Sequence, residues 1–232
     1  MDPASIAAVF AREFRTGTYG GLGASTLKAM RDLAQGAHWA TAGRTGEFAA
    51  GNGAAMRIAP LAFVMAGVTP EERRLIRDVC RITHKNDEAC VAALAVVRAM
   101  HVIADGARGP SLLGELAGEL PDTRVRDALR TLSDLPDPAP VERAAEAAGT
   151  SGHAAESVPL ALYLAARFGP SCEEAILAAV RCGGDTDTIA SIAGQVCGAA
   201  GGTLSDSWLE RLPVREEIED LAERLAAVPP RA

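Results

Sequence analysis

The run from Arg181 to Gly202, RCGGDTDTIASIAGQVCGAAGG, narrows the possible folds more than any other part of the chain. Ile189, Ile192, Ala193, Val196 and Ala200 recur at i, i+3, i+4 and i+7 spacing, so the segment reads as a helix with a buried face. Ala190, Gly194 and Gly198 lie four apart and form a stripe that admits a neighbouring backbone at close range. A helix-interior glycine costs about 1 kcal/mol, and close packing is the expected compensation. Two carboxylates, Asp185 and Asp187, and two hydroxyls, Thr186 and Thr188, stand where this helix begins. Two readings follow. Acids at a helix start cap free N–H groups and complement the helix dipole. Oxygen donors gathered there also suit a hard cation such as magnesium or calcium. The preceding Gly183-Gly184 pair favours the second reading, because glycine lets a backbone approach a ligand closely.

The remaining pattern is helical throughout. Asp2-Pro3 is an N-cap followed by proline at the first helical position, which starts a helix to residue 15 with Ile6, Val9, Phe10 and Phe14 as its apolar stripe. Further helices are predicted over residues 24–35, 53–65, 70–82, 87–103, 110–120, 123–132, 141–148, 157–168, 171–181, 187–200 and 214–227. No β alternation and no internal repeat is evident. With 48% apolar but only 4% aromatic residues and abundant alanine, the composition suits closely packed helices better than a β-sandwich. The expected fold is all-α, a single-domain orthogonal helical bundle.

Composition also excludes function classes. A net charge of −7 argues against non-specific nucleic-acid binding, which needs basic patches. No uncharged apolar run is long enough to span a bilayer, and the N-terminus does not read as a signal peptide. Cys80, Cys90, Cys172, Cys182 and Cys197 are odd in number and lack CxxC spacing, so they read as reduced core residues of a cytoplasmic protein.

Three loops carry further candidates. Gly51-Asn52-Gly53 precedes a segment with Met56 and Arg57 and is either a plain turn or a set of N–H groups facing a phosphate. Arg57 either meets the ligand or pairs with a carboxylate inside the domain. His84, after Thr83, is either a core or capping histidine or a ligand contact. Ser151-Gly152-His153 precedes a helix that Glu156 and Pro159 help to start. His38, His101 and His153 show no metal-ligand spacing.

The string G-G-D-T-D-T-I-A-x-I-A-G closely resembles the C-terminal signature of the ADP-ribosylglycohydrolase family, which includes the dinitrogenase-reductase-activating glycohydrolases. The resemblance continues in order through GNGAAMRIAPLA at Gly51–Ala62, ITHKNDEA at Ile82–Ala89 and SGHAAESVPLALYL at Ser151–Leu164. It implies an all-helical fold, a magnesium or manganese site that is dinuclear in complete relatives, and hydrolysis of the glycosidic bond of ADP-ribose. It further implies that Asp185, Asp187 and Thr188 are metal ligands, with Asp185 and Asp187 catalytic. Gly51, Asn52, Gly53, Met56, His84, Ser151, Gly152 and His153 would then contact substrate, and the loop from Gly17 to Gly23 would lie over the same region. The family's opening glycine-rich segment, its Thr-Asp-Asp motif and, in some members, a catalytic Glu find no counterpart here. Residues 1–232 therefore read as one domain of this type that is truncated at its N-terminus. The expected function is metal-dependent hydrolysis of ADP-ribose attached to a protein side chain or small molecule. The alternative is a catalytically impaired ADP-ribose-binding module that lacks half of the metal site, or a half completed by another polypeptide.

Overall fold

Alanine and small residues set the architecture, because they let helix axes approach closely enough to bury entire helices. The computed structural model describes residues 2–107, 109 and 111–229. Thirteen α-helices occur among them: α1 Pro3–Arg15, α2 Ala24–Ala34, α3 Pro60–Val64, α4 Pro70–Arg81, α5 Asp87–Ala104, α6 Ser111–Glu119, α7 Arg124–Ser133, α8 Val141–Ala148, α9 Ala154–Phe168, α10 Cys172–Arg181, α11 Thr186–Ala199, α12 Asp206–Leu209 and α13 Arg215–Ala226. The all-α expectation holds. Pro110, where the sequence places the start of α6, lies outside the described residues.

The centre is α5, α9 and α11, which pack on one another, with α10 against α11. In α5 the unbroken run from Ala89 to Val97 is buried, and in α9 the run from Ser157 to Ala166. A helix apolar on every side has no solvent face to offer and belongs at the core. A smaller cluster of Ala7, Ala11, Leu33, Ala42 and Ile82 holds α1 and α2 to the body. Here Ala7 and Ala11 are the buried centre of the face, Ile6 and Phe10 of the expected stripe pack against it, and Val9 is 43% exposed. The close backbone approach expected along the Ala190, Gly194 and Gly198 stripe of α11 is not found at either glycine; Gly194 meets a side chain instead. A Cβ on Gly194 would lie 3.2 Å from Ile176 Cδ1 of α10, whereas Gly198 faces open space.

Two segments depart from expectation. Residues 53–65 form a 3-10 turn at Ala55–Arg57 and the separate helix α3, rather than one helix. Pro60 cannot donate into a continuing ladder, so it restarts the chain as the first residue of α3. α9 begins at Ala154 rather than 157, because the His153 ring accepts Ala155 N–H at 3.1 Å and serves as the cap; Pro159 lies inside the helix. The short helix α12 has no clear sequence signal.

The sole strand pairing among the described residues is parallel, β1 Arg44–Thr45 with β2 His84–Lys85, in the register Arg44↔His84 and Thr45↔Lys85. Gly43 makes it possible. Its φ is +81°, and a Cβ there would sit 2.6 Å from the Thr83 carbonyl oxygen, so only glycine fits. Asp32 Oδ2 fixes the same turn by accepting Gly43 N–H at 3.0 Å and Lys28 Nζ at 2.6 Å.

Candidate functional site

A cavity of about 560 Å³ opens between α1, the 17–23 loop, the glycine loop at 51–53, β2 and the start of α11. That volume lies in the range of small-molecule sites. Its lining includes Asp185, Asp187 and Thr188 from the mouth of α11.

Asp185 occupies the N-cap position of α11 but accepts no helix N–H. Its carboxylate is engaged sideways instead. Oδ2 accepts Asn52 Nδ2–H at 2.6 Å and Oδ1 accepts the Thr188 hydroxyl at 3.2 Å. Asn52 is 7% exposed and also donates to Ser157 Oγ at 2.9 Å, which in turn donates to the His153 carbonyl at 3.1 Å. This chain of bonds ties α11 to the glycine loop and to α9. Asp187 projects from the first turn and is exposed. Its carboxyl is held below the ordinary carboxylate range, first by hydrogen bonding with Asp185 and then by the Thr188 N–H. Two carboxylates in such proximity need positive charge between them, either a proton or a cation. The donors are two carboxylates and a hydroxyl, without nitrogen or sulfur, and that set suits a hard cation. No group of three or more His, Cys, Asp or Glu side chains able to hold a metal occurs among the described residues. Water and ligand oxygens would have to complete a coordination shell.

The glycine pair before α11 serves an internal purpose. Gly184 has φ +70°, and a Cβ there would stand 2.2 Å from the Thr150 carbonyl oxygen. The same carbonyl accepts Asp185 N–H at 2.8 Å. The close approach expected for a ligand is thus, at Gly184, an approach to the neighbouring loop.

That loop, Thr150 to His153, lies beside the glycine loop. Asn52 N–H donates to the Gly152 carbonyl at 3.1 Å, and Ala154 N–H to the Ala50 carbonyl at 2.8 Å. Gly152 lines the cavity; Ser151 and His153 do not, and they brace it instead. Ser151 Oγ accepts His153 N–H at 3.2 Å, and Glu156 accepts Ser151 N–H at 3.1 Å. Met56 reaches the cavity from the turn after the glycine loop, and its carbonyl accepts Gln195 Nε2–H of α11 at 3.0 Å.

The other wall is built on His84, which is 3% exposed. Cβ atoms at Gly51 and Gly53 would come within 3.3 Å and 3.2 Å of its ring, so these glycines make room for the imidazole. Burial, and secondarily the Arg57 guanidinium, push the His84 pKa down to about 3. Among the described residues Arg57 meets no carboxylate. It donates to the Gly53 carbonyl and to Thr83 Oγ1, both at 2.6 Å, and its guanidinium carbon lies 5.5 Å from the centre of the Phe10 ring. The internal carboxylate partner expected for Arg57 is absent among the described residues.

The structure thus brings Gly51, Asn52, Gly53, Met56, His84, Gly152, Asp185, Asp187 and Thr188 into one cavity wall. The loose GTYGGLG signal belongs there too, through Tyr19 to Gly23. Phe10, Arg44 and Phe48 also line the cavity and were not legible as site residues. Phe48 is 82% exposed, an unusual position for a large aromatic side chain.

The chain is similar to known proteins along nearly its whole length. The family model for ADP-ribosylglycohydrolase matches residues 1–232. An uncharacterized protein of Archaeoglobus fulgidus is 33% identical across 97% of this chain and 73% of its own length. The ADP-ribosylhydrolase ARH3 of Homo sapiens is 27% identical across 98% of this chain and 73% of its own length. A solved structure titled ADP-ribosylglycohydrolase-related protein complex superposes with a TM-score of 0.74 at 30% identity, covering 98% of this chain and 74% of that one. No helix among the described residues is long and apolar enough to cross a membrane. The chain belongs to the ADP-ribosylglycohydrolase family, whose chemistry is hydrolysis of ADP-ribose linkages.

Proposed function

We propose that this protein binds an ADP-ribosyl group in the cavity and, with a magnesium or manganese ion, hydrolyses its glycosidic bond to a protein side chain or small molecule. The observation that carries this reading is Asp185: a carboxylate at a helix start that caps nothing, held by Asn52 and Thr188 toward a cavity that also contains Asp187. A cap alone would not need those partners.

Asp185, Asp187 and Thr188 would hold the ion. When bound, such a cation supplies electrophilic charge and an ordered water near the scissile bond. The protein's own residues do the rest. Asn52 fixes the Asp185 carboxylate at the mouth of α11. Asp187, exposed beside it, has its carboxyl held below the ordinary range, which suits a cation ligand, and the attacking water would be oriented by the ion beside it. The backbone of the glycine loop and the His84 ring face the polar body of the ligand. The acceptor released on cleavage leaves toward solvent.

Calorimetric titration of magnesium and ADP-ribose tests this reading directly, together with thermal unfolding of the parent chain and of Asp187→Asn. With about 10 mM magnesium the parent should gain stability by ligand linkage, and the variant should not. Asp187 stands in the first turn of α11 rather than at the cap, so a purely helix-dipole role predicts no magnesium shift in either protein. ADP-ribose binding without a magnesium shift would instead favour the binding-module reading.

A further inference from the structure

We propose that Arg57 and Thr83 form a positioning relay that locks the His84 ring with its proton on Nε2, so that the cavity offers a neutral N–H donor to an acceptor oxygen of the ligand. The argument is one of donor accounting. A guanidinium only donates. Arg57 Nη2 gives its bond to Thr83 Oγ1 at 2.6 Å and Nη1 to the Gly53 carbonyl at 2.6 Å. Thr83 Oγ1 therefore accepts from Arg57 and has one proton to give. Its nearest acceptor is His84 Nδ1 at 2.7 Å; the alternative, the Cys80 carbonyl, is 3.5 Å away. A charged donor on the oxygen makes the hydroxyl a stronger donor in turn. Nδ1 is then the acceptor nitrogen, and a neutral imidazole carries its proton on Nε2.

The surroundings agree. Nε2 has no hydrogen-bond partner among the described residues, and the ring lines the cavity between Gly51 and Gly53. The charged group facing the ring is Arg57, a cation, which opposes a second positive charge there. The Cys80 thiol packs on the other side of the segment, 3.5 Å from the His84 carbonyl, and its own pKa lies well above the ordinary thiol value. No carboxylate pairs with Arg57 among the described residues, so the guanidinium is committed to the relay and to the Phe10 face. The consequence is directional: an Nε2–H ring donates to a ligand oxygen, including a phosphate oxygen that has no proton to give, whereas an Nδ1–H ring would present only an acceptor and require a ligand proton. The ligand's identity rests on the ADP-ribosyl reading; the tautomer does not.

The test is nitrogen NMR on the full chain with labelled histidine, first without ligand. Long-range proton–nitrogen correlations should show His84 protonated at Nε2 and bare at Nδ1, unchanged between about pH 7 and pH 5. Thr83→Val should release the lock and populate both tautomers, while Thr83→Ser restores one. ADP-ribose should shift the Nε2–H resonance in the parent chain, and bind Thr83→Val about threefold to tenfold more weakly, the worth of one neutral hydrogen bond. A parent ring protonated at Nδ1, or a Thr83→Val ring unchanged in tautomer, overturns the relay. The parent spectrum needs no variant, so a misfolded Thr83→Val does not shield the proposal. An Nε2–H ring in a protein that ignores ADP-ribose would sustain the relay and remove the ADP-ribosyl reading.

Discussion

The two walls of the cavity use the same backbone device for opposite chemistries. At the mouth of α11, Gly184 presses against the Thr150 carbonyl; at β2, Gly43 presses against the Thr83 carbonyl. Both glycines have positive φ, +70° and +81°. The first wall is partly exposed and carboxylate-rich, held by side-chain bonds reaching from Asn52 to Asp185 and Ser157. The second is buried and built on a guanidinium and a neutral imidazole. The difference teaches where charge is wanted. Carboxylates set near solvent are available to a cation, while a ring placed under a buried arginine stays neutral and acts through direction alone.

The largest effects should come from filling the two pinned glycines. Gly184→Ala and Gly43→Ala each place a Cβ within 2.6 Å of a backbone oxygen as well as straining φ. Each should cost about 2–3 kcal/mol in urea unfolding, the upper range for single substitutions with a named cause. Gly21→Ala is the control, with φ +65° but open space around it, and should cost about 1 kcal/mol. If all three cost the same, backbone conformation alone matters and the shared pinning device is not real.

Next in size is a charge change on the carboxylate wall. Asn52→Asp places a second carboxylate at the 2.6 Å position beside Asp185. Two anions so close cannot both stay ionised, so the pair's folded pKa rises above its unfolded value. Stability should fall by about 2 kcal/mol near pH 7 and return as the pH is lowered, since a raised pKa stabilises on the acid side. A cation bound between the carboxylates would erase the deficit, so magnesium should rescue this variant more than the parent. A variant as stable as the parent at neutral pH would mean that the Asn52–Asp185 bond does not hold the wall.

The two walls also differ in how far the sequence revealed them. The α11 mouth was legible because its chemistry is contiguous: Asp185, Asp187 and Thr188 sit on one helical turn behind a glycine pair. All-α architecture was legible from periodicity, and the start of α1 from its Asp2 cap and Pro3. The His84 wall was only half legible. Its defining contacts join residues 43, 57 and 83–84, and no local spacing encodes them. The Gly183-Gly184 pair suggests ligand approach because a sequence reports that a Cβ is absent, not which neighbour occupies the space; at Gly184 that neighbour is Thr150. α9 began early for a similar reason: a histidine cap falls outside the usual Ser, Thr, Asp and Asn set.

On the His84 wall, acid provides the matching test. His84 has a folded pKa of about 3 against an ordinary value of 6.5. Below 6.5 the unfolded chain binds a proton that the folded one refuses, so stability falls as pH drops from 6.5 towards 3. His84→Gln should flatten this part of the acid limb by on the order of 1–2 kcal/mol, once its own packing loss is measured near neutral pH. An unchanged slope would show that some other group, not this ring, is held neutral by burial.

The smallest expected effect decides what the glycine loop does for the ligand. If Gly53 is there so that its backbone can meet a phosphate, any side chain blocks binding outright. The structure gives it a different neighbour: a Cβ would lie 3.2 Å from His84 Cε1 and 3.4 Å from Thr26 Oγ1. Gly53→Ala should then push the ring by a few tenths of an ångström and cost only about 0.5 kcal/mol of stability. ADP-ribose affinity should fall by a similar increment, about two- to threefold, through the displaced ring. In His84→Gln, where the ring is gone, the same alanine should cost no affinity at all, because contacts that share a neighbour are not additive. A complete loss of binding in Gly53→Ala, persisting in the double variant, would restore the direct backbone–phosphate contact. It would also make the loop, not the histidine, the element that defines the second wall.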